Sequence, residues 1–302
     1  MFLSLINYLK SNVYIIQTMF KLSRFPGGKH VANVVHQTTG ELICKAFYSD
    51  EASGSNPIKE IILDPDEKFE SVPFFDCIKE KDNQIYLLFG KKRSGKGYFS
   101  HLIAKQYHDV YPKNKIMVFT NQSNIEHKSQ DDLLSLKGVK HFDLTTELAE
   151  NFPSAKVFKN CLVVFDDCDN IRNVVSGESD DEDMGKGTQP EKEAISYPMA
   201  NMIAKLKNEL LEVGAKANVW VIVTCHNVLK GKKDTEVRSE SDYFVFFRKT
   251  QKHQKETVME KYMQGSFNKK TVDRILKMKS RWVLLPKDDN YILAEREAFI
   301  ID

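Results

Sequence analysis

The chain has 302 residues, which is long enough for one large α/β domain with appendages. Hydrophobic residues make up 41% and charged residues 28%, and these ordinary values exclude the disordered and membrane classes. The formal net charge of +2 gives no global basic footprint. Any contact with nucleic acid would therefore come from a local basic patch or from an assembled ring.

The cysteines and the first residues bear on the compartment. There are five cysteines, an odd number, without a CxxC pair or a zinc-type cluster, which predicts reduced thiols in an intracellular setting. Residues 1–20 are rich in apolar side chains, but Lys10 and Asn12 interrupt the run and no small-residue cleavage site follows. We therefore expect neither a signal peptide nor a membrane span, and interpret this stretch as an amphipathic extension or an upstream translation artefact.

The N-terminal part of the chain predicts a small β-rich element. Two short apolar runs within residues 31–47 flank the turn-rich residues 38–41, which indicates a β-hairpin. Residues 50–57 are typical of a loop, and residues 60–63 form a short strand candidate. We assign residues 1–83 to an N-terminal extension that carries this element.

Continuous apolar runs dominate the rest of the chain. Runs of this kind suit strands that are covered on both faces. They occupy residues 85–89, 116–119, 161–165, 219–223 and 243–247. Between them, residues 98–111 and 199–213 carry apolar residues at helical spacing. The alternation predicts an α/β fold with a mostly parallel central sheet between helices.

The remaining segments complete a predicted domain over residues 84–302. Residues 176–190 are acidic and nearly without apolar side chains, which predicts a mobile surface loop; the alternative of a metal site lacks EF-hand spacing. Residues 271–278 look helical. Residues 282–285 and 291–294 are predicted to form a terminal hairpin.

A glycine-rich loop follows the first core strand, where residues 90–97 read GKKRSGKG and fit the pattern GxxxxGK. Gly90 and Gly95 let the backbone wrap so that its N–H groups face phosphates, which Lys96 can also reach. The place between a buried strand and an amphipathic helix favours nucleotide binding over the alternative, a basic surface loop. The predicted nucleotide-binding residues are Gly90, Lys91, Lys92, Arg93, Ser94, Gly95, Lys96, Gly97 and Tyr98.

Gly97 stands where such loops usually carry the hydroxyl that ligates Mg²⁺. The metal would then be held through water, by Ser94 or by an acidic strand. This puts the rate of catalysis in question more than the binding of nucleotide. A glycine here also resembles the loop of adenylate-kinase-like enzymes, although those commonly carry Thr where this chain has Tyr98.

Two carboxylates end the third core strand, in the shape of a Walker B segment. The buried strand delivers Asp166 and Asp167 to the carboxyl edge of the sheet. We predict that Asp166 holds Mg²⁺ through water and that Asp167 polarises the attacking water; the alternative is a strand that ends in a simple turn. An Asp in place of the Glu of many related ATPases shortens the reach of that group. Asp169 is predicted to cap the next turn.

Polar and basic residues near the next two strands are further candidates. Thr224 and His226 follow the fourth strand, where a residue that senses the γ-phosphate belongs, although both could simply satisfy loop hydrogen bonds; Cys225 is interpreted as packing. Arg238 and Arg248 flank the fifth strand and could supply positive charge across a subunit boundary, or be surface arginines. The predicted catalytic residues are Lys96, Asp166, Asp167, Thr224, His226 and Arg238.

Several of these segments together resemble a group of viral P-loop ATPases. The segments are the loop at 90–97, residues 162–169, the helix at 206–214, the strand edge at 223–226 and the sequence SRWV at 280–283. They are similar to the poxvirus-type genome packaging ATPases of large DNA viruses and their relatives, which belong to the FtsK-HerA superfamily. The resemblance runs from about residue 84 to the C-terminus.

The resemblance implies a three-layer ASCE-type P-loop fold, in which one strand separates the carboxylate strand from the P-loop strand. We expect the 161–165 strand to lie between the 85–89 and 116–119 strands, or next to them with another strand inserted. It also implies a ring, pentamer or hexamer, that hydrolyses ATP with Mg²⁺ and moves double-stranded DNA into a capsid. Capsid or portal components would be further partners, in the host cytoplasm, the nucleus or the virion. A run of lysines is usually a solvated face. The candidate phosphate or neighbour contacts are Lys91, Lys92, Arg93, Lys230, Lys232 and Lys233.

Two other function classes stay open at this point. One is a nucleotide-dependent switch or assembly factor with little hydrolysis. The other is a nucleotide kinase, which needs a second nucleotide pocket and an arginine-rich lid. No such lid is found between the core strands, and the paired carboxylates favour the ASCE-type ATPases.

Overall fold

The computed structural model describes residues 21–23, 29–36, 38–48, 69–73, 83–120, 132–144, 148, 150–168, 190–228, 235–263, 267–288, 291–295 and 298–300. Contacts divide the chain into two compact units. One consists of Met1–Asp76 with Asn290–Asp302, and the other of Cys77–Asp289. The boundary placed at residue 84 from the sequence stays a prediction.

The first unit contains an antiparallel sheet. Its strands are β1 (Lys21–Ser23), β2 (Lys29–His36), β3 (Leu42–Tyr48) and β4 (Phe69–Pro73), in the order β1-β3-β2-β4. The predicted hairpin around residues 38–41 is confirmed as β2 and β3. Gly40 has a φ of +73° in this turn, a left-handed conformation that glycine adopts without strain. The loop predicted at 50–57 and the strand predicted at 60–63 lie outside the described residues.

The second unit is built on a mostly parallel sheet. Its strands are β5 (Ile85–Phe89), β6 (Lys115–Thr120), β7 (Val139–Asp143), β8 (Cys161–Asp166), β9 (Val219–Cys225), β10 (Tyr243–Phe247) and β11 (Trp282–Pro286). They lie in the order β11-β10-β5-β9-β8-β6-β7, parallel except for β11. The five predicted core strands are thus confirmed. Every residue of β5, β8, β9 and β10 is buried, as expected for strands covered on both faces.

The strand order decides which loops meet. β9 lies between β5, which leads into the glycine loop, and β8, which ends in Asp166. The predicted separation of these two strands by one other is therefore confirmed. Because the carboxyl ends of parallel strands meet at one edge of a sheet, the segments after β5, β8 and β9 converge there.

The helices described in this unit include α1 (Lys96–Val110), α2 (Pro190–Ala217), α3 (Thr235–Glu240), α4 (Lys252–Tyr262) and α5 (Lys269–Lys277). The helices predicted at 98–111, 199–213 and 271–278 are confirmed as α1, α2 and α5. Pro190, assigned from the sequence to the end of the acidic loop, is instead the first residue of α2, a position that suits proline. The rest of that segment, residues 176–189, lies outside the described residues.

Helices α1 and α2 cover opposite faces of the sheet. Tyr107 of α1 packs against Trp220, with ring centroids 5.7 Å apart. Lys207 of α2 lines a small cavity with Leu87 and Val223. Because successive side chains of a strand point to opposite faces, Trp220 and Val223 of β9 lie on different faces. The predicted three-layer arrangement is therefore confirmed.

Some elements were not predicted from the sequence. β7 lacks a continuous apolar run because all of its residues are exposed or half-buried. α4 is mostly polar and buries Val258 and Met259. The strands predicted at 282–285 and 291–294 are confirmed as β11 and β12 (Tyr291–Ala294), and β12 pairs antiparallel with β13 (Ala298–Ile300). Across the described residues, no helix has the length and apolar character needed to cross a membrane.

Candidate functional site

The glycine loop, residues 90–95, connects the end of β5 to the first residue of α1. Gly95 is the N-cap of α1 and has a φ of +112°, which would strain any other residue. The Gly90 N–H donates to the Cys225 carbonyl at 3.1 Å and ties the loop to β9. The first N–H groups of an α-helix lack partners within the helix and attract anions. The loop thus sets a helix N-terminus at the carboxyl edge of the sheet.

Gly90 is also required by close packing beneath the loop. A Cβ at this position would lie 2.9 Å from Oγ1 of Thr250 and 3.0 Å from Oγ of Ser94. The Thr250 hydroxyl is fixed in place, because it donates to the Phe89 carbonyl at 3.0 Å and accepts from the Phe247 N–H at 3.1 Å. Thr250 supports the loop and was not predicted. No signal in the sequence relates it to a loop some 160 residues earlier.

Lys96 lies beneath the glycine loop and is 5% exposed. Its ammonium donates to the Gly90 carbonyl at 3.1 Å and lies 3.3 Å from Oδ1 of Asp167. A buried ammonium is costly unless it is paired, and here it has a carbonyl and a carboxylate. The lysine is therefore held at the helix terminus, between the loop and the segment that follows β8.

Asp166 and Thr224 form a buried pair across β8 and β9. The Thr224 hydroxyl lies 2.9 Å from Oδ1 of Asp166 and donates to it. The exposed fractions of the two side chains are 3% and 0%. The carboxylate of Asp166 is therefore fixed at the last position of the strand, on the same face of the sheet as α1.

Asp167 follows immediately and has a left-handed φ of +48°. Its N–H donates to the Thr224 hydroxyl at 2.9 Å. Non-glycine residues adopt this conformation mainly where the surroundings require it. The hydrogen bond to Thr224 and the ion pair with Lys96 are two such requirements. They turn the Asp167 carboxylate toward the glycine loop.

His226 completes the cluster. Its Nδ1 lies 3.7 Å from Oδ1 of Asp167. Burial lowers the pKa of His226 below its ordinary value, an effect that Asp167 opposes and Lys96 reinforces. The imidazole is therefore neutral at pH 7 and can donate or accept a hydrogen bond beside the Asp167 carboxylate.

The structure thus brings together Lys96, Asp166, Asp167, Thr224 and His226 at one sheet edge. The two carboxylates suit Mg²⁺, which prefers oxygen ligands and keeps several of its waters when bound. The Ser94 hydroxyl, considered as a metal ligand from the sequence, is buried against Gly90 and has no hydrogen-bond partner among the described residues. The described residues contain no group of three or more His, Cys, Asp or Glu side chains that could hold a metal ion by themselves.

The other predicted nucleotide-binding residues surround this edge. Lys91, Lys92 and Arg93 are exposed on the loop, and Arg93 has a φ of +59°. Gly97 and Tyr98 lie half-buried in the first turn of α1. The predicted basic positions at residues 230, 232 and 233, and the cap predicted at residue 169, lie outside the described residues.

Arg238 and Arg248 have different surroundings. Arg238 is 6% exposed, and its guanidinium donates to the Val228 carbonyl at 2.7 Å and to the Tyr262 hydroxyl at 2.8 Å. It is neither a surface arginine nor a side chain that projects outward, so its placement argues against the catalytic role predicted for it. Arg248, which follows β10, is exposed. Of the two, only Arg248 could reach another molecule.

Thr120 at the end of β6 was also missed. It lies directly beside Asp166 in the register of the two strands, and its buried hydroxyl has no hydrogen-bond partner among the described residues. Cys168 donates weakly to the Phe119 carbonyl at 3.5 Å and ties the turn after β8 to β6. The sequence gives no sign of either contact, because both depend on which strand lies next to β8.

A buried strand, a glycine loop and a helix, with paired aspartates at the end of the second strand along, form the arrangement that the sequence analysis expected of an ASCE-type P-loop fold. No protein family model matches the chain. The chain is 26% identical over 246 residues to the uncharacterised protein V3 of Sputnik virophage, a match that covers 80% of this chain and 84% of that protein.

Two solved structures show how the architecture compares with known proteins. The genome packaging NTPase B204 of Sulfolobus turreted icosahedral virus 2, in complex with ATP-gammaS, is similar with a TM-score of 0.42 and 14% identity. That match covers 71% of this chain and 97% of B204. The pCW3 conjugation coupling protein TcpA, with ATPgS, is similar with a TM-score of 0.44 and 10% identity, covering 100% of this chain and 82% of TcpA.

Proposed function

We propose that this chain binds ATP with Mg²⁺ and hydrolyses ATP. One observation carries the proposal. A buried lysine beneath a glycine loop lies 3.3 Å from the second of two aspartates, on a segment held by the hydroxyl of Thr224. A lysine, a helix N-terminus and paired carboxylates at one sheet edge are the groups that hold a nucleoside triphosphate and activate water beside it.

The loop and Lys96 would bind the phosphates. The N–H groups of the loop and of the first turn of α1 would surround the β- and γ-phosphates. The ammonium of Lys96 would exchange its present partners, the Gly90 carbonyl and the Asp167 carboxylate, for phosphate oxygens. Because the ammonium already lies at the helix terminus, little side-chain ordering would be needed on binding.

Asp167 would then be released to act on water. A carboxylate beside the γ-phosphate can orient the attacking water and accept its proton. His226 would contact either the γ-phosphate or that water, because its imidazole lies 3.7 Å from the same carboxylate. Thr224 would couple the two aspartates, since its hydroxyl contacts both of their segments.

Asp166 would hold the metal ion through water. When bound, Mg²⁺ would neutralise charge on the phosphates. Gly97 lacks the hydroxyl that commonly ligates the ion in such loops, which leaves Asp166 as the principal protein group for this role. The missing hydroxyl specifically favours a second candidate function, a nucleotide-dependent switch that binds ATP and turns it over little.

We further propose that hydrolysis moves double-stranded DNA into a capsid and that copies of the chain act as a ring. This part rests on the resemblance of the five sequence segments to viral packaging ATPases. The exposed residues Lys91, Lys92, Arg93 and Arg248 are available for phosphate or neighbour contacts. Such a ring would supply positive charge from the neighbouring copy, for which Arg248 is the candidate. Capsid or portal components and a location in the host cell or virion follow from the same resemblance.

Steady-state ATP hydrolysis with and without double-stranded DNA tests the proposal. We expect wild type to turn over ATP, DNA to raise the rate, and Lys96→Ala to abolish both rates. Lys105→Ala is the matched control for the loss of a lysine from α1, because Lys105 is exposed while Lys96 is buried. It should keep basal turnover.

Three outcomes separate the candidates. A rate that DNA raises supports the motor. A rate that DNA leaves unchanged supports an ATPase and contradicts DNA translocation. Tight ATP binding without turnover under either condition contradicts the hydrolase and supports the switch.

A further inference from the structure

The position of the reactive groups fixes the direction in which a bound nucleotide must run. Asp167, Thr224 and His226 lie on or after β8 and β9, on one side of the P-loop strand β5. The γ-phosphate must face these groups if water is to attack it there. The rest of the nucleotide must therefore run toward the other side of β5, where β10 and β11 lie.

Tyr98 and Arg281 meet on that other side. Tyr98 is the second residue after Lys96 and half-buried, and Arg281 is exposed and directly precedes β11. The guanidinium carbon of Arg281 lies 5.4 Å from the centroid of the Tyr98 ring. Residues two apart on a helix do not share a face, so Lys96 and Tyr98 point to different flanks of the same turn. One flank holds the lysine and the other holds this pair.

Packing beneath the pair fixes its position. Phe99 contacts the ring of Trp282 with centroids 5.0 Å apart, which ties the first turn of α1 to the start of β11. The Arg248 N–H donates to the Arg281 carbonyl at 3.1 Å and holds the backbone beside the guanidinium. Phe99, which follows Tyr98, and Trp282, which follows Arg281, are fully buried. The pair is thus held by the core and not by a loose surface segment.

We propose that Tyr98 and Arg281 form the base-binding end of the nucleotide site, on which the nucleobase stacks. An aromatic ring and a guanidinium plane are the two side-chain surfaces on which unpaired bases commonly stack. Stacking tolerates any base because every base has a π-face. The site therefore binds ATP and GTP with similar affinity and both more tightly than inorganic triphosphate. This inference rests on the proposed binding of nucleotide at the glycine loop.

Equilibrium binding of ATP, GTP and inorganic triphosphate, each with Mg²⁺, tests the inference on the full chain. Tyr98→Ala should weaken the binding of ATP and GTP roughly tenfold or more and leave inorganic triphosphate unchanged. Tyr98→Phe keeps the ring and should bind ATP as wild type does. Arg281→Lys keeps the positive charge but removes the planar guanidinium on which a base can stack. It should therefore weaken the binding of ATP and leave the affinity for inorganic triphosphate unchanged.

Inorganic triphosphate separates failure of this inference from failure of the proposed function. If wild type binds inorganic triphosphate and ATP equally, or if Tyr98→Ala leaves ATP binding unchanged, the base does not stack on this pair. If Tyr98→Ala lowers the affinity for ATP and for inorganic triphosphate by the same factor, the inference is also overturned, because the substitution then acts on the phosphate-binding loop. If wild type binds none of the three ligands, the proposed function itself fails.

Discussion

The ammonium of Lys96 lies 3.3 Å from Oδ1 of Asp167, and the two side chains come from opposite sides of β9. Phosphate oxygens placed on the helix terminus would compete with Asp167 for the same ammonium. Binding of nucleotide would therefore free the carboxylate that is needed to activate water. In the proposed function, the contact between Lys96 and Asp167 would couple the binding of nucleotide to the activation of water.

Thr224 is the polar group that joins the two aspartates, and its loss should affect both stability and turnover. Thr224→Val removes one hydrogen-bond donor to Oδ1 of Asp166 and the acceptor of the Asp167 N–H, beside the buried side chain of Asp166. We expect a loss of about 1–3 kcal/mol in the free energy of unfolding, measured by urea denaturation.

Thr224→Ser is the matched control, because it keeps the hydroxyl and removes one methyl group. It should retain most of the ATPase rate, while Thr224→Val should lose most of it. Equal stability and equal turnover of the two variants would contradict a role for this hydroxyl.

Two glycine-to-alanine substitutions should have opposite effects. A Cβ at Gly90 would lie 2.9 Å from the fixed hydroxyl of Thr250, so Gly90→Ala should destabilise the chain by about 1–3 kcal/mol. A Cβ at Gly214 of α2 would meet Val219 at the ordinary distance of 3.5 Å, so Gly214→Ala should stabilise by about 0.5–1 kcal/mol. Thermal or urea unfolding measures the change in the free energy of unfolding of each variant relative to wild type. Unchanged or increased stability of Gly90→Ala would contradict the close packing beneath the loop, and a loss of stability in Gly214→Ala would contradict the room beside Val219.

Asp242 should make stability depend on pH. Burial raises the pKa of its carboxyl from 3.8 to about 6, although its Oδ2 accepts a hydrogen bond from the Ile85 N–H at 2.7 Å, which acts in the opposite direction. The folded chain binds this proton more tightly than the unfolded chain does. The free energy of unfolding should therefore fall as the pH rises from about 4 to 6, by on the order of 2 kcal/mol.

Asp242→Asn removes the titrating group and keeps an acceptor for the Ile85 N–H. Urea denaturation at several pH values should show a smaller fall for this variant than for wild type over that window. Parallel curves for the two proteins would mean that Asp242 has an ordinary pKa in the folded chain.

The architecture of the second unit was predictable because its strands are buried on both faces. Burial of this kind requires continuous apolar runs, as in residues 161–165 and 219–223, and such runs are visible in the sequence. β7 was not predictable, because it lies at the edge of the sheet and its residues are exposed or half-buried. A strand with no fully covered face carries no such signal.

The candidate site was predictable where its residues follow directly from strands. Asp166, Thr224 and Lys96 each lie at a strand end or the first helical turn after it, so sequence order alone places them at one edge. The burial of Arg238 was not predictable, because it involves a contact with Tyr262 of α4, a helix without a clear apolar pattern. Thr250 was missed for a similar reason, since its contact with Gly90 is purely tertiary.

Binding and turnover of MgATP by wild type, Lys96→Ala and Asp167→Asn test the central claim most directly. Asp167→Asn should bind MgATP about as tightly as wild type, while its turnover falls by roughly 10²–10⁴, because it keeps the fold but lacks the base. Lys96→Ala should bind MgATP weakly or not at all. Wild-type turnover by Asp167→Asn, or wild-type affinity in Lys96→Ala, would contradict the assignment of this sheet edge as the site of ATP hydrolysis.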